Sequence, residues 1–211
     1  MVFFSRESLI REGMMKRAVC AMFFLLIGNF AIAQEAPFGL YWGEDAQKIK
    51  SRSVVLIEKR RDGAFTQYHT TSTPRHLSST ETYSLLVHDR YGLVKITSYS
   101  RNISNDIAGI DGKRIYNELK AAISDKYGPA KDQFEYSGRK LYKEYDEFYQ
   151  CLRYQGCGTW SSFWGNAEGR GAISVELKGL TRGVGFVVLS YEGPNFDKAI
   201  EERTTTDKGV L

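Results

Sequence analysis

Residues 14–33, MMKRAVCAMFFLLIGNFAIA, constrain this chain more than any other stretch. They read as a cleavable secretory signal, which sets both the length of chain that folds and the chemistry of its surroundings. Lys16 and Arg17 supply the positive end, residues 18–27 a short apolar core, Gly28 and Asn29 the break, and Ala31 and Ala33 the small residues of a cleavage site near Ala33 and Gln34. A bilayer span needs roughly 20 apolar residues, about twice the uninterrupted core here, which disfavours a retained anchor. Cys20 stands near the start of that core rather than after it, so a lipid-modified cysteine is rejected. Glu7, Arg11 and Glu12 are out of place ahead of a signal, and the expectation is that translation begins at Met14 or Met15.

Removal of residues 1–33 from 211 leaves 178, the size of one ordinary domain spanning 34–211. The removed segment carries Arg6, Arg11, Lys16 and Arg17 against Glu7 and Glu12, so the formal charge falls from +4 to +2. That balance argues against a nucleic-acid partner, and runs such as Lys59, Arg60 and Arg61 read as solvated turn approaches. Cys20 leaves with the signal, so Cys151 and Cys157 remain as a single pair in an oxidising compartment, periplasmic or secreted, and are expected to form a disulfide. In one continuous helix the two would be separated by about 9 Å of rise and point in different directions, too far for a bridge. A helix must therefore end between them.

Periodicity places the elements. Residues 45–52 read as a small helix with Ala46 and Ile49 inward, and residues 54–61 and 65–70 as a hairpin about Asp62 and Gly63. Residues 72–80, rich in Ser and Thr, form a loop, followed by a second hairpin, 82–88 with 93–100. Residues 111–127 are the clearest helix, with Ile115, Leu119, Ala122 and Ile123 on one stripe, Asp111 as cap, and Gly128 with Pro129 as the stop. A second main helix is expected over 141–153, with Leu141, Tyr145, Phe148 and Leu152 facing the core. Strands follow at 159–164, 172–178 and 184–191, the last with its apolar run over 184–189. In the middle one Ile173, Val175 and Leu177 alternate with Ser174, Glu176 and Lys178, and the last is apolar on both faces and hence central. Residues 194–203 are a weak helix, and 204–211 a frayed tail. Short turns between strands, with helices grouped rather than interleaved, predict an α+β domain: an antiparallel sheet with two main helices packed on it.

Phe38, Gly39, Leu40, Trp42 and Gly43 (FGLYWG), Leu93 after a strand and turn, Lys126 to Pro129 (KYGP), a late Trp, and a strand ending Leu189, Ser190, Tyr191 resemble a pattern of small exported bacterial proteins of uncharacterised function. The resemblance spans most of the mature chain and implies export and an α+β sheet with packed helices. It brings no activity and no functional residue. The cysteine-bearing segment 138–158 reads as this chain's own elaboration.

Motifs for chemistry are sparse. A cysteine nucleophile needs a free sulfur, which a bridged pair lacks. His69, His76 and His88 have no zinc spacing, and His88 beside Asp89 reads as a solvated turn. Gly109 to Arg114 lacks the spacing and the Ser or Thr of a phosphate loop, and Gly179, Gly183 and Gly185 fit a hairpin turn rather than a dinucleotide fingerprint. No cofactor or metal is implied. Glu144, Asp146 and Glu147 read as a solvated face. Glu176 points from a wet strand face and would need a second acid to do glycan chemistry. Asn102, Ile103 and Ser104 form a glycosylation sequon, meaningful only in a eukaryotic secretory pathway.

Aromatic residues, 13% of the chain, crowd residues 134–164. Most belong in a core, but Tyr142 and Tyr149 fall at the stripe's edge, where a ring packs and its hydroxyl stays wet. With Trp164 they form the candidate binding surface beside the disulfide loop, since Tyr and Trp are enriched where partners dock. The favoured function is thus a non-catalytic domain that binds an envelope or secreted protein partner, or another cell-envelope component, without stable membrane insertion. The alternative is a cell-wall hydrolase or transferase using a carboxylate pair.

Overall fold

The computed structural model describes residues 34–165 and 171–209; the expected signal segment lies outside them. Eight strands form one antiparallel sheet in the order β1-β2-β3-β4-β8-β7-β6-β5. They are β1 (Ile57–Asp62), β2 (Phe65–Thr70), β3 (Thr80–His88), β4 (Gly92–Ser100), β5 (Asp132–Tyr136), β6 (Thr159–Trp164), β7 (Ile173–Thr181) and β8 (Val184–Glu192). Among the described residues four α-helices accompany them: α1 (Ala46–Ser51), α2 (Ile110–Tyr127), α3 (Phe148–Arg153) and α4 (Phe196–Lys208). The sheet is two four-stranded meanders, β1 to β4 and β5 to β8, closed onto each other by pairing of β4 with β8. Between β4 and β5 the chain must cross four strand spacings, about 19 Å. The 18 residues of α2 span about 27 Å and provide that crossing.

Alternation along the strands sorts the side chains. One face carries Tyr83, Leu85, Leu93 and Ile96, covered by the lead-in segment and α1, and Val175, Leu177, Val187 and Leu189, covered by α2 and α3. A bulge opposite the Leu86–Val87 step turns both Val94 and Lys95 to the other face. There Phe65, Val94 and Ala199 of α4 make a smaller cluster. β8 is central, as its two-sided apolar run predicts, and both expected hairpins form with the turn glycines Gly63 and Gly92 at positive φ. The basic run Lys59 to Arg61 lies along the exposed edge strand β1, where charge blocks edge-to-edge pairing.

Several expectations need correction. The strand β5 was not anticipated, since its exposed residues carry no periodic signal. On α2 the inward residues are Gly112, Tyr116 and Ile123, with Ala122 exposed, so the buried stripe is rotated towards Tyr116. The N-cap position is Gly109, and the first-turn amides are satisfied from three residues before it by Asp106, whose carboxylate accepts from Ile110 N at 2.7 Å and Gly112 N at 2.9 Å; Asp111 lies in the exposed first turn. Helix α4 continues through residues assigned to the tail, with Thr204, Thr205 and Thr206 hydroxyls donating to carbonyls four residues back. His88 is buried rather than solvated, its Nδ1 accepting from the Arg90 and Tyr91 amides.

The second main helix is the largest departure. Glu144 and Glu147 form a capping box that starts a 3-10 turn at Tyr145, and α3 proper begins only at Phe148. Residues 138–143 instead run back over the cysteine loop, with the Gly138 amide donating to Cys151 Sγ at 3.0 Å and the Arg139 amide to Cys157 O at 3.0 Å. Leu141 and Tyr145, expected in the core, are therefore 50% and 72% exposed. Cys151 and Cys157 lie at disulfide distance with Cα atoms 5.1 Å apart, and α3 ends at Arg153, between them.

Candidate functional site

The expected binding trio does not form one surface. Tyr149 is fully buried in α3, its hydroxyl donating to Asp106 Oδ2 at 2.8 Å. Three glycines leave room for it. A Cβ on Gly112 would stand 2.2 Å from the Tyr149 hydroxyl, one on Gly185 2.1 Å from its ring, and one on Gly179 1.8 Å from its carbonyl. Glycine inside a strand or helix marks such close approaches, a signal present in the sequence, where Gly179 and Gly185 read as a hairpin turn. Burial opposes ionisation of Asp106, yet the hydrogen bonds from Gly112, Tyr149, Asp111 and Ile110 outweigh it and hold its pKa below the ordinary 3.8. Burial, then the Asp106 carboxylate, push the Tyr149 phenol upward, so its proton stays in place. This assembly joins α3 to the start of α2; it is a structural lock.

Trp164 is also buried, donating from Nε1 to Gly128 O at 3.0 Å and so fastening the end of β6 to the end of α2. Trp164 also lines a cleft of about 720 Å³ bounded by the lead-in segment 34–42, Arg75, the last turn of α2 and the adjoining ends of β6, β7 and β8. Phe38, Trp42, Tyr127, Trp164 and Tyr191 supply its aromatic walls. Phe38, Trp42, Lys126, Tyr127 and Tyr191 belong to the motifs that carry the resemblance, so residues far apart in the chain converge on one concave site.

Local chemistry explains the wall positions. The lead-in folds on itself through Ala36 N to Leu40 O and Trp42 N to Gln34 O, both 2.9 Å, and is sewn to β4 by Gly43 N to Leu93 O and Leu93 N to Glu44 O. Phe38 sits at φ 63, a left-handed conformation that disfavours a bulky residue, while its carbonyl accepts from Arg75 N at 2.9 Å. Backbone strain of this kind, roughly 1–3 kcal/mol, persists where surroundings over-determine it and is concentrated at ligand sites. The Trp42 ring lies against Gly193, where a Cβ would come within 2.6 Å. Burial pushes the Tyr191 phenol well above its ordinary value, so that wall is neutral.

Of the acids that line the cleft, Glu35 pairs with Arg75 at 2.8 Å, while Glu192 turns its carboxylate to the other face of the sheet, where it pairs at 2.8 Å with its cross-strand neighbour Lys95. On the opposite face of the sheet Glu176 does share a shallow hollow with Asp132 and Glu192. Its strand partner Val188 stands four residues from Glu192, about 13 Å along the strand. Glycosidase carboxylates need roughly 5–9.5 Å. Glu176 is drawn to Lys178 at 2.5 Å, away from Glu192. Among the described residues no three His, Cys, Asp or Glu side chains cluster as a metal site.

Tyr142 alone of the trio remains at the surface, at the edge of the disulfide loop with its ring 6.1 Å from that of Tyr154. Sequence reasoning missed the cleft because its walls come from six separate segments. Comparison with models of known protein families, with curated proteins and with solved structures gives no match.

Proposed function

We propose that this chain is an exported, non-catalytic domain that holds a protein or cell-envelope component in the aromatic cleft. The observation that carries the reading is a concave site with aromatic walls and a strained Phe38, in which Glu35 is already ion-paired. Concave, mostly apolar sites with a few polar groups are where ligands bind, and a hydrolase would instead need two carboxylates converging on the bond to be broken. The cysteine pair at disulfide distance supports an oxidising compartment. No described helix is long and apolar enough to cross a membrane.

Trp42 and Trp164 flank the cleft and report on it by fluorescence. Titration with soluble peptidoglycan fragments and, separately, with solubilised envelope proteins should give a saturable change with one of them, the ligand being recovered intact. Tyr127→Ala combined with Lys126→Ala, both exposed on the rim, should abolish the change while leaving the melting temperature within a degree or two. Binding unaffected by the double substitution would remove the cleft from consideration. Recovery of cleaved fragments would favour the hydrolase alternative, with Glu176 as the residue to test.

A further inference from the structure

We propose a second interaction surface, independent of the cleft: the strap over the cysteine loop docks the acidic face of a protein partner. Its elements are Arg139, Lys140, Tyr142, Lys143, Tyr145 and Tyr154, all exposed. Tyr145 at 72% and Tyr154 at 47% are large rings held in water, and Leu141 of the same strap is 50% exposed. Such rings cost free energy unless something covers them, and Tyr and Arg are the residues that dominate binding hot spots.

Charge names the partner. Among the described residues Arg139, Lys140 and Lys143 form no ion pair, whereas the acids of the same segment are engaged. Asp146 pairs with Arg182, and Glu147 accepts from the Glu144 amide in the capping box. The surface thus offers a cationic field around apolar anchors, complementary to carboxylates flanking an apolar side chain. The strap is irregular, fixed backbone rather than a basic amphipathic helix of the kind that lies on an anionic bilayer, which favours a discrete protein face.

The strap is also held ready. The Gly138 and Arg139 amides bind the cysteine loop, the Arg139 guanidinium lies 3.4 Å over the Tyr136 ring, and the Tyr142 ring packs edge-on against Tyr154. Tyr142 is fixed at φ 53, a conformation a free loop would abandon. A surface rigid before contact loses less entropy on binding.

The test is selection of a surface-displayed random peptide library on the intact, oxidised protein. Enriched clones should combine Asp or Glu with Leu, Phe or Trp. Their binding should weaken about tenfold or more with Lys140→Glu plus Lys143→Glu, and similarly with Tyr145→Ala, each variant keeping its melting temperature. The same clones should bind Tyr127→Ala/Lys126→Ala normally, which separates failure here from failure of the cleft. Neutral or basic consensus sequences, no enrichment, or clones indifferent to Lys140 and Lys143 would overturn the proposal. So would salt-sensitive binding to phosphatidylglycerol vesicles that is lost with the same charge reversals, which would make the surface a membrane contact.

Discussion

Replacing Tyr149 by Phe removes one oxygen from the interior and nothing from the packing. The ring still fills the socket shaped by Gly112, Gly179 and Gly185, so no cavity opens. What is lost is the 2.8 Å hydrogen bond to the Asp106 carboxylate, a buried acceptor that keeps the Gly112 and Ile110 amides. Hydrogen bonds to charged groups contribute about 1.5–3 kcal/mol net. Because two backbone donors remain, the lower part of that range applies, about 1.5–2 kcal/mol. For a domain of this size that corresponds to a fall in melting temperature of roughly 3–8 °C. The assay is urea unfolding followed by tryptophan fluorescence, with Asp106→Asn and the double variant completing a cycle. If the hydroxyl acts through the carboxylate, the two single losses should exceed the double loss, with a coupling of at least about 1 kcal/mol. A Tyr149→Phe loss below about 0.5 kcal/mol, or additive effects, would refute the lock between α3 and α2.

Two further outcomes follow from the same region. Asp106 has a depressed pKa in the folded chain, so its contribution is fully present above its unfolded value of 3.8 and is lost as pH falls through the lower folded value. Asp106→Asn should therefore show a shallower loss of stability below about pH 4 than the parent, with a constant gap between them above about pH 5, measured by urea midpoints across pH. Reducing the Cys151–Cys157 pair, or replacing both by Ala, should cost about 2.4 kcal/mol from the closure entropy of a short loop. Because α3 and the strap both hang on that loop, hydrogen exchange should rise first in residues 137–158 and leave β3, β4 and β8 protected.

Much of the fold is legible locally. Alternation in residues 173–178 reports a strand with one wet face, Gly63 and Gly92 report hairpin turns, and Gly128 with Pro129 ends α2 where expected. These features depend on backbone preferences and on neighbours a few residues away, so the linear order carries them. The helix predicted over 141–153 fails for a reason that is also physical. A period of 3.6 describes which side chains share a face, but the cysteine loop needs a strap above it, and hydrogen bonds from Gly138 and Arg139 to that loop compete with helix formation. Of the residues expected to bind a partner, Tyr149 and Trp164 were taken into the interior and Tyr142 stayed outside. Ring size alone does not distinguish these outcomes.

The chain's own order thus sets most of its elements and their turns and the close spacing of Cys151 and Cys157, because each is decided by composition or by short-range geometry. Pairing of β4 with β8, the glycine socket around Tyr149, the Asp106 bonds to the first turn of α2 and the six-segment cleft were decided only when the meanders closed. They depend on contacts between residues as much as about 150 positions apart, where the gain from burial must outweigh the entropy of loop closure. No window of sequence contains both sides of that balance.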